Sequence, residues 1–351
     1  MATSSPLRDL LAQKGRLLAD GATGTNLFQL GLSSGEPPEL WNVDFPQKIR
    51  HLYNSFIDAG SDIILTNSFG GTANRLKLHD ADDRVHELNQ AAARLATECA
   101  AQADKKVLIA GSVGPTGDLF EPIGPLTFDA AVASFTEQIE GLKAGGAEVI
   151  WIETMSAEIE MQAAARAAEN CDMDYVITGS FDTAGKTMMG LRPSAMPSVI
   201  QAADHGHGHS HHHDHHHGVG ANCGVGASDL VAAILEMSDA SKDGQIIIAK
   251  ANCGIPVVKG DEVVYTGTPE LMAKYVDLAL NSGANIVGGC CGTSPEHLKA
   301  MRVAMDNYVQ GPRPTLQEIE DALGPYVNAV AAQRDAEPAP KRERAGRRRR
   351  A

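Results

Sequence analysis

The sequence is poor in aromatic residues and has no long apolar run, and these absences narrow the class of protein. Aromatic residues make up 5% of the 351 residues, and no run of eighteen or more apolar residues occurs. A membrane-spanning helix needs about 20 apolar residues, so none is predicted. The start of the chain also lacks the basic end and apolar stretch of a signal peptide. We therefore expect a cytoplasmic protein without a membrane partner.

Basic residues are scarce outside the end of the chain. The formal net charge is -14, yet the segment from Lys341 to Arg350 carries seven Lys or Arg residues and one Glu. Without that segment the chain has 23 basic and 43 acidic residues. An acidic body repels polyanions. The composition therefore predicts no nucleic-acid partner for the protein as a whole.

The six cysteines do not read as a disulfide framework. In a reducing compartment, cysteines act more often as metal ligands or core thiols than as disulfide partners. Cys99 and Cys171 lie on helix-forming segments and are interpreted as core thiols, and burial is also favoured for Cys253. Three cysteines remain as candidate ligands, namely Cys223, Cys290 and Cys291.

Apolar runs and helical patterns alternate eight times along the chain, which is typical of parallel βα units that close on themselves. The phrases DAGSDIIL, KAGGAEVIW and NSGANIVGG repeat one connector, in which a helix end and a glycine precede a strand. We predict an α/β fold, a single (β/α)8 TIM barrel over residues 8–310, and keep a doubly wound open sheet as the alternative. The predicted strands are Arg16–Asp20, Asp62–Thr66, Val107–Gly111, Glu148–Glu153, Tyr175–Ser180, Val219–Cys223, Gln245–Ala251 and Asn285–Cys290.

Three segments stand outside this regular pattern. Residues 205–218 are a histidine-rich insertion that holds nine of the thirteen histidines. Residues 311–335 are expected to form a C-terminal helical extension. Residues 336–351 combine Pro with like charges, and we expect a disordered basic tail.

Polar, acidic or thiol-bearing residues end nearly every predicted strand, which is where TIM barrels place their chemistry. Cys223 ends the sixth strand, and Cys290 and Cys291 end the eighth. Three thiolates suit Zn²⁺, and three protein ligands leave a fourth position open for substrate. Because three thiolates give the metal site a net charge of minus one, the site is suited to binding and activating an incoming thiol.

Six motifs in order resemble the homocysteine methyltransferase family, which includes bacterial betaine-homocysteine methyltransferases and the homocysteine module of cobalamin-dependent methionine synthase. The resemblance implies a TIM barrel, homocysteine as the thiol substrate and zinc held by the three cysteines. The motifs are DGATGTNL (Asp20–Leu27), ILTNSF (Ile64–Phe69), GSVGPTG (Gly111–Gly117), GANCG (Gly220–Gly224), ANCGIP (Ala251–Pro256) and GGCCGTSPEHL (Gly288–Leu298).

The same resemblance implies roles for further residues. Asp20 and Glu153 fall where the family places carboxylates that bind the homocysteine ammonium group. Gly21, Thr66 and Asn67 match the region that binds the substrate carboxylate. Asn252 matches a position from which an amide oxygen reaches zinc when substrate is absent.

The methyl donor is open at this stage. Betaine is favoured because the chain ends soon after the barrel, without a folate or cobalamin module. Phe69 and Trp41 are the aromatic candidates for a quaternary ammonium, although Gly70 and Thr154 replace two aromatics of the animal-type pattern. The alternatives are a split methionine synthase that uses a separate corrinoid protein, and S-methylmethionine as donor.

Parts of the sequence are compatible with two other classes of function. The histidine run predicts a zinc-buffering protein if that segment is the functional part. An aldolase or dehydratase on the same fold would need a Schiff-base lysine, for which Lys250 is the candidate. The zinc-buffering hypothesis leaves the polar strand ends unexplained, and the aldolase hypothesis is weaker because no Schiff-base lysine other than Lys250 is apparent.

Overall fold

Strands and helices alternate along the described part of this computed structural model, which is residues 5–200, 215–259 and 262–328. The predicted histidine-rich insertion lies outside this part up to residue 214, as do residues 329–335 of the predicted extension and the whole basic tail. The strands in chain order are β1 (Leu17–Leu18), β2 (Ile63–Leu65), β3 (Leu108–Val113), β4 (Val149–Met155), β5 (Tyr175–Gly179), β6 (His216–Cys223), β7 (Ile246–Ala251), β8 (Pro256–Lys259), β9 (Glu262–Tyr265) and β10 (Ile286–Gly289).

Eight of these strands form a nearly closed parallel barrel. Their order is β1-β10-β7-β6-β5-β4-β3-β2, and a single parallel bridge between Ala19 and Ile63 joins the two ends. Strands β8 and β9 form a separate antiparallel hairpin. The predicted TIM barrel is therefore confirmed, and the open doubly wound sheet is not observed.

Helices surround the barrel, and several begin at residues that favour a helix start. Thr127 and Thr268 accept hydrogen bonds from backbone N–H groups in the first turn, and proline stands first in four helices. The helices are α1 (Pro6–Lys14), α2 (Thr23–Gln29), α3 (Trp41–Asp44), α4 (Pro46–Asp58), α5 (Ala73–Leu76), α6 (Val85–Ala101), α7 (Phe128–Gly145), α8 (Glu158–Asn170), α9 (Ala227–Ala240), α10 (Pro269–Asn281), α11 (Pro295–Asp306) and α12 (Leu316–Leu323). Short 3-10 turns occur at Pro38–Leu40, Lys77–His79, Asp82–Arg84 and Pro193–Ser198.

The repeated glycine connector has one backbone geometry at all three sites. Gly60, Gly146 and Gly283 have φ values of 107°, 102° and 106°, in the left-handed region where a side chain causes strain. Each glycine ends a helix and turns the chain back into a parallel strand. The sequence repeat therefore corresponds to a repeated structural unit.

The core has an inner and an outer part. Alternate strand residues fill the barrel, among them Trp151, Val176 and Ile248, and Leu7 and Leu10 of α1 belong to the same buried cluster. A larger cluster lies between the strands and the surrounding helices. Because α1 precedes β1, it covers the amino-terminal end of the barrel and leaves the carboxyl end to the site.

Three features differ from the sequence prediction. Strand β6 begins at His216 rather than Val219, because the His216 ring stacks on Tyr175 at 5.4 Å and His217 pairs with Asp174 at 2.7 Å. Helix α1 and the β8–β9 hairpin were not predicted. Helix α1 is short and lies outside the βα repeat, so periodicity gives it little signal, whereas the hairpin sequence has two apolar runs on either side of Gly260-Asp261, a signal that the prediction overlooked.

In the ranges given above, no helix combines the length and apolar character needed to cross a bilayer.

Candidate metal centre and substrate site

The cysteines predicted as ligands come together at the carboxyl end of the barrel. Cys223 ends β6, while Cys290 and Cys291 follow β10, and the three Sγ atoms lie within 4.8 Å of one another. The Sγ atoms of Cys223 and Cys291 are 3.8 Å apart. Residues that are 67 and 68 positions apart in the chain thus form one group that could bind a metal ion.

The local backbone conformation orients these three thiol groups. Cys223 has a φ of 60°, a left-handed conformation that is uncommon for a residue with a side chain. Gly224 and Gly292 adopt φ values of 76° and 81° beside the ligand positions. Such strain persists where the surroundings hold it in place, and it is common at functional sites.

Asn222 fixes the strand end beside the thiols. Its Oδ1 accepts hydrogen bonds from the Thr154 N–H at 2.8 Å and the Thr178 hydroxyl at 2.6 Å, and its Nδ2 donates to Thr154 Oγ1 at 2.7 Å. The same Nδ2 lies 3.9 Å from Cys290 Sγ. Asn222 therefore orients a candidate ligand without itself being one.

Hydrogen bonds between the thiols shift their pKa values in opposite directions. Hydrogen bonds from Cys223 and Cys290 lower the pKa of Cys291, with a further contribution from Tyr265. The hydrogen bonds to Cys290 and Cys291 raise the pKa of Cys223. A bound cation would lower all three pKa values, because it stabilises all three thiolates. The donor set therefore fits a metal ion.

Asn252 is buried beside the cluster with one amide atom unpaired. Its Nδ2 donates to the Gly224 carbonyl at 2.6 Å, whereas Oδ1 has no hydrogen-bond partner among the described residues. A buried carbonyl oxygen without a partner is costly. This unpaired carbonyl oxygen is therefore suited to coordinate a cation.

Lys250 forms a buried ion pair that the sequence prediction missed. Its Nζ lies 2.6 Å from Asp20 Oδ1, and the two side chains are 2% and 1% exposed. The Leu65 N–H donates to the other Asp20 oxygen at 2.8 Å. Burial raises the pKa of Asp20, which the Lys250 ammonium opposes. Lys250 thus serves as a counter-ion to Asp20.

Glu153 is a second buried carboxylate of the site, and its Oε1 accepts a hydrogen bond from the Ser112 hydroxyl. Burial raises the pKa of Glu153 to about 7, although Lys250 acts in the opposite direction. A carboxyl group so poised releases its proton when a cation arrives. An acid in this state is a suitable receptor for a substrate ammonium group.

The remaining predicted substrate residues lie at the ends of β1 and β2. Thr66 Oγ1 bonds the Ser68 hydroxyl and the Ser112 N–H, and Asn67 Nδ2 donates to Pro38 O and Asn42 Oδ1. These bonds order the loop after β2.

Gly21 differs from Thr66 and Asn67, because its N–H has no partner in the described part of the chain. A Cβ at Gly21 would lie 2.6 Å from the Thr293 carbonyl oxygen. This close approach leaves space for glycine alone.

The two aromatic candidates have unequal surroundings. The Trp41 ring is 2% exposed, its face is covered by Lys48 Nζ at 4.2 Å, and its Nε1 donates to Glu36. Phe69 is half-buried and follows the loop residue Ser68. Trp41 therefore cannot offer an open ring face in this conformation.

The described end of the histidine run lies on the opposite side of the barrel. His217 pairs with Asp174 at 2.7 Å and accepts a hydrogen bond from Arg8 at 2.8 Å, at the amino-terminal end of β6. His215 lies 3.3 Å from the same Asp174. These histidines are separated from the cysteines by the length of β6.

The comparisons with known proteins agree with this geometry. A family model described as homocysteine S-methyltransferase matches residues 17–305. Crystal structures of the homocysteine methyltransferase MmuM from Escherichia coli, in metallated and oxidized forms, are each 22% identical to this chain. They have TM-scores of 0.68 and 0.69, and the matches cover 85% and 86% of this chain and 99% of MmuM. At this identity the structural likeness concerns the fold.

Proposed function

This chain belongs to the homocysteine S-methyltransferase family, and from that membership we propose that it binds zinc through Cys223, Cys290 and Cys291 and converts homocysteine to methionine. We further propose glycine betaine as the methyl donor. The observation that carries the proposal is the meeting of three thiols from two strands at the carboxyl end of the barrel.

The spacing of the sulfur atoms supports zinc. Zinc–thiolate bonds of about 2.3 Å in a tetrahedron place two sulfur atoms about 3.8 Å apart. The distance between Cys223 Sγ and Cys291 Sγ is 3.8 Å. Three protein ligands leave one coordination position for a substrate, as in catalytic zinc sites. We propose that Asn252 Oδ1 faces this position when homocysteine is absent, since that oxygen has no other described partner.

The polar residues around the thiols are suited to bind the ammonium and carboxylate groups of an amino acid. We propose that Glu153 and Asp20 bind the homocysteine ammonium group, with Lys250 holding Asp20 in place. The Gly21 N–H, which has no partner among the described residues, is a donor for the substrate carboxylate. Thr66 and Asn67 order the neighbouring loop.

Bound zinc would supply one element of the chemistry, which is to lower the pKa of the homocysteine thiol and keep its sulfur nucleophilic. The protein residues orient the amino acid so that its sulfur faces the donor methyl group. The new S–C bond then forms as the donor's bond to that carbon breaks, and the leaving group keeps the electron pair. Positioning supplies a large part of the rate.

The electrostatics favour a positively charged donor. Asp20 is balanced by Lys250 and Glu153 by the proposed substrate ammonium group, whereas three thiolates leave a charge of minus one even with a divalent cation. This supports betaine, and it supports S-methylmethionine equally. Because Lys48 covers Trp41, aromatic recognition of betaine would rest on Phe69. A corrinoid protein as donor remains the alternative, and no described contact favours it.

A zinc-buffering role for the histidine run is the competing function of another class. His217 is already engaged by Arg8 and Asp174, and residues 201–214 lie outside the described part of the chain. The cysteine cluster is better organised for a metal than these described histidines. The run is therefore not our proposed functional part.

The first experiment is methionine formation by the purified, zinc-loaded protein with homocysteine and one donor at a time. The donors are betaine, S-methylmethionine and methylcobalamin. Turnover with betaine supports the whole proposal, and turnover with another donor alone replaces betaine and keeps the homocysteine chemistry. Cys290→Ala should lose zinc and activity together, whereas Cys171→Ala, at a cysteine outside the cluster, should keep both. Zinc retained by Cys290→Ala would refute the ligand assignment.

A further inference from the structure

A cavity of about 500 Å³ opens at the amino-terminal face of the barrel. Its lining comes from the segments that immediately precede β1, β2 and β3 and from the end of α11. The cysteines and Glu153 lie at the carboxyl ends of the strands, so the cavity is on the opposite face. Nothing in the proposed methyl transfer uses it.

The lining is basic, although the protein as a whole is acidic. Four cations face two carboxylates in the cavity, whereas the chain has a net charge of -14. Such a reversal of sign concentrates anions locally. The charged lining residues are Lys14, Arg16, Lys105, Arg302, Asp62 and Asp306.

The carboxylates do not neutralise all four cations. Asp62 is 1% exposed and binds Lys14 at 2.5 Å, Arg302 at 3.0 Å and the Leu18 N–H at 2.9 Å. Asp306 binds Arg302 at 2.6 Å. Both carboxylates therefore form ion pairs with Arg302, and Asp62 also links β1 to β2 by accepting a hydrogen bond from the Leu18 N–H. The oxygens of both carboxylates are therefore engaged in contacts within the protein.

Two basic side chains each have an N–H donor without a hydrogen-bond acceptor among the described residues. Lys105 has no carboxylate within 4.0 Å in the described part of the protein. The Arg302 Nε–H is buried and has no hydrogen-bond partner there either. A half-buried ammonium and a buried guanidinium N–H normally have partners. Burial also lowers the pKa of Lys105, which a bound anion would reverse.

We propose that this cavity binds a phosphate dianion, either free or as the monoester of a small organic molecule. The formal excess of two positive charges matches a dianion. Lys105 Nζ is the donor that faces the cavity without a partner among the described residues, and Arg16 is a second cation of the lining, stacked over the Tyr308 ring at 4.6 Å. The volume exceeds that of the phosphate group and accommodates an organic part.

Isothermal titration calorimetry of the full-length, zinc-loaded protein tests the proposal. Inorganic phosphate and ribose 5-phosphate are the two probes, at constant ionic strength and against a chloride blank. We expect saturable binding of at least one probe. Tighter binding of ribose 5-phosphate identifies a monoester site, and equal binding identifies a site for the phosphate group alone.

Lys105→Met should weaken binding of the better probe about tenfold or more, because it removes one charge-assisted hydrogen bond. Lys105→Arg should bind within about threefold of the parent, because the charge remains. Lys274→Met, at an exposed lysine on α10, is the matched control and should not change affinity. Since Lys105 has no carboxylate partner, Lys105→Met should melt at the parent temperature without ligand.

Absence of saturable binding to the parent, or equal affinities for parent and Lys105→Met, would overturn the proposal. Neither outcome depends on methyl transfer. A protein that binds zinc and forms methionine but does not bind phosphate would retain the proposed function and lose only this inference.

Discussion

The buried pair between Lys250 and Asp20 makes Lys250→Met the most informative single substitution. The variant keeps most of the volume of the side chain and removes its charge. Asp20 then keeps one described hydrogen bond, from the Leu65 N–H, and has no cation. Removing one partner of a buried ion pair costs about 3–5 kcal/mol, because the other charge stays buried.

The pH dependence follows from the same pair. Burial raises the pKa of Asp20 above its usual value, with Lys250 opposing. A carboxyl group with a raised pKa in the folded state destabilises the protein as the pH rises through that range. Without Lys250 the rise in pKa is larger. The penalty of Lys250→Met should therefore be greatest at neutral pH and should shrink on acidification.

Thermal and denaturant unfolding of the purified variants measures the effect. For a chain of 351 residues, a loss of about 4 kcal/mol lowers the melting temperature by roughly 5 °C. Asp20→Asn combined with Lys250→Met removes both charges and should recover at least half of the loss. A penalty below about 1 kcal/mol for Lys250→Met, or additive effects in the double variant, would refute the buried pair.

Three further predictions concern the same end of the barrel. Glu153→Gln should stabilise the metal-free protein by roughly 3 kcal/mol at pH 8 and much less at pH 5. The reason is that a carboxyl group with a pKa raised to about 7 destabilises the folded state only when the pH exceeds its pKa in the unfolded chain. Denaturant titrations at both pH values check this. Gly21→Ala should cost about 1–3 kcal/mol, since its Cβ would meet the Thr293 carbonyl oxygen, and unchanged stability would contradict that contact. Asn222→Ala should weaken metal binding about 10–100-fold in a competitive chelator titration, because it frees Cys290 from its neighbour; unchanged affinity would remove Asn222 from the support of the site.

The barrel could be predicted from the sequence because its signals are local. Most of the buried parallel strands are short apolar runs, and each repeated connector carries a glycine such as Gly146, which the structure has at a φ of 102°. The convergence of Cys223 with Cys290 followed from the rule that strand ends share one face.

The partners inside the site could not be predicted in the same way. Lys250 and Asp20 are 230 positions apart, and nothing in the pattern of either strand indicates that they meet. The lysine lies near the end of an apolar run, where its sequence context suggests only a Schiff-base role. The hairpin that carries Tyr265 has a local signal, two apolar runs on either side of Gly260-Asp261, but its position next to the cysteines is a tertiary feature.

The single bridge that closes the barrel also determines where the protein should open first. Strands β6 and β7 pair continuously from Gly218 to Cys223, whereas β1 meets β2 through the bridge of Ala19 with Ile63 and through Asp62. Backbone amides at this seam should exchange with solvent before those of β6 and β7. Asp20 follows the seam directly, and Cys223 ends the strand that opens last. If the proposed function holds, local fluctuations should therefore loosen the contacts of Asp20 with homocysteine before they disturb the cysteine at the end of β6.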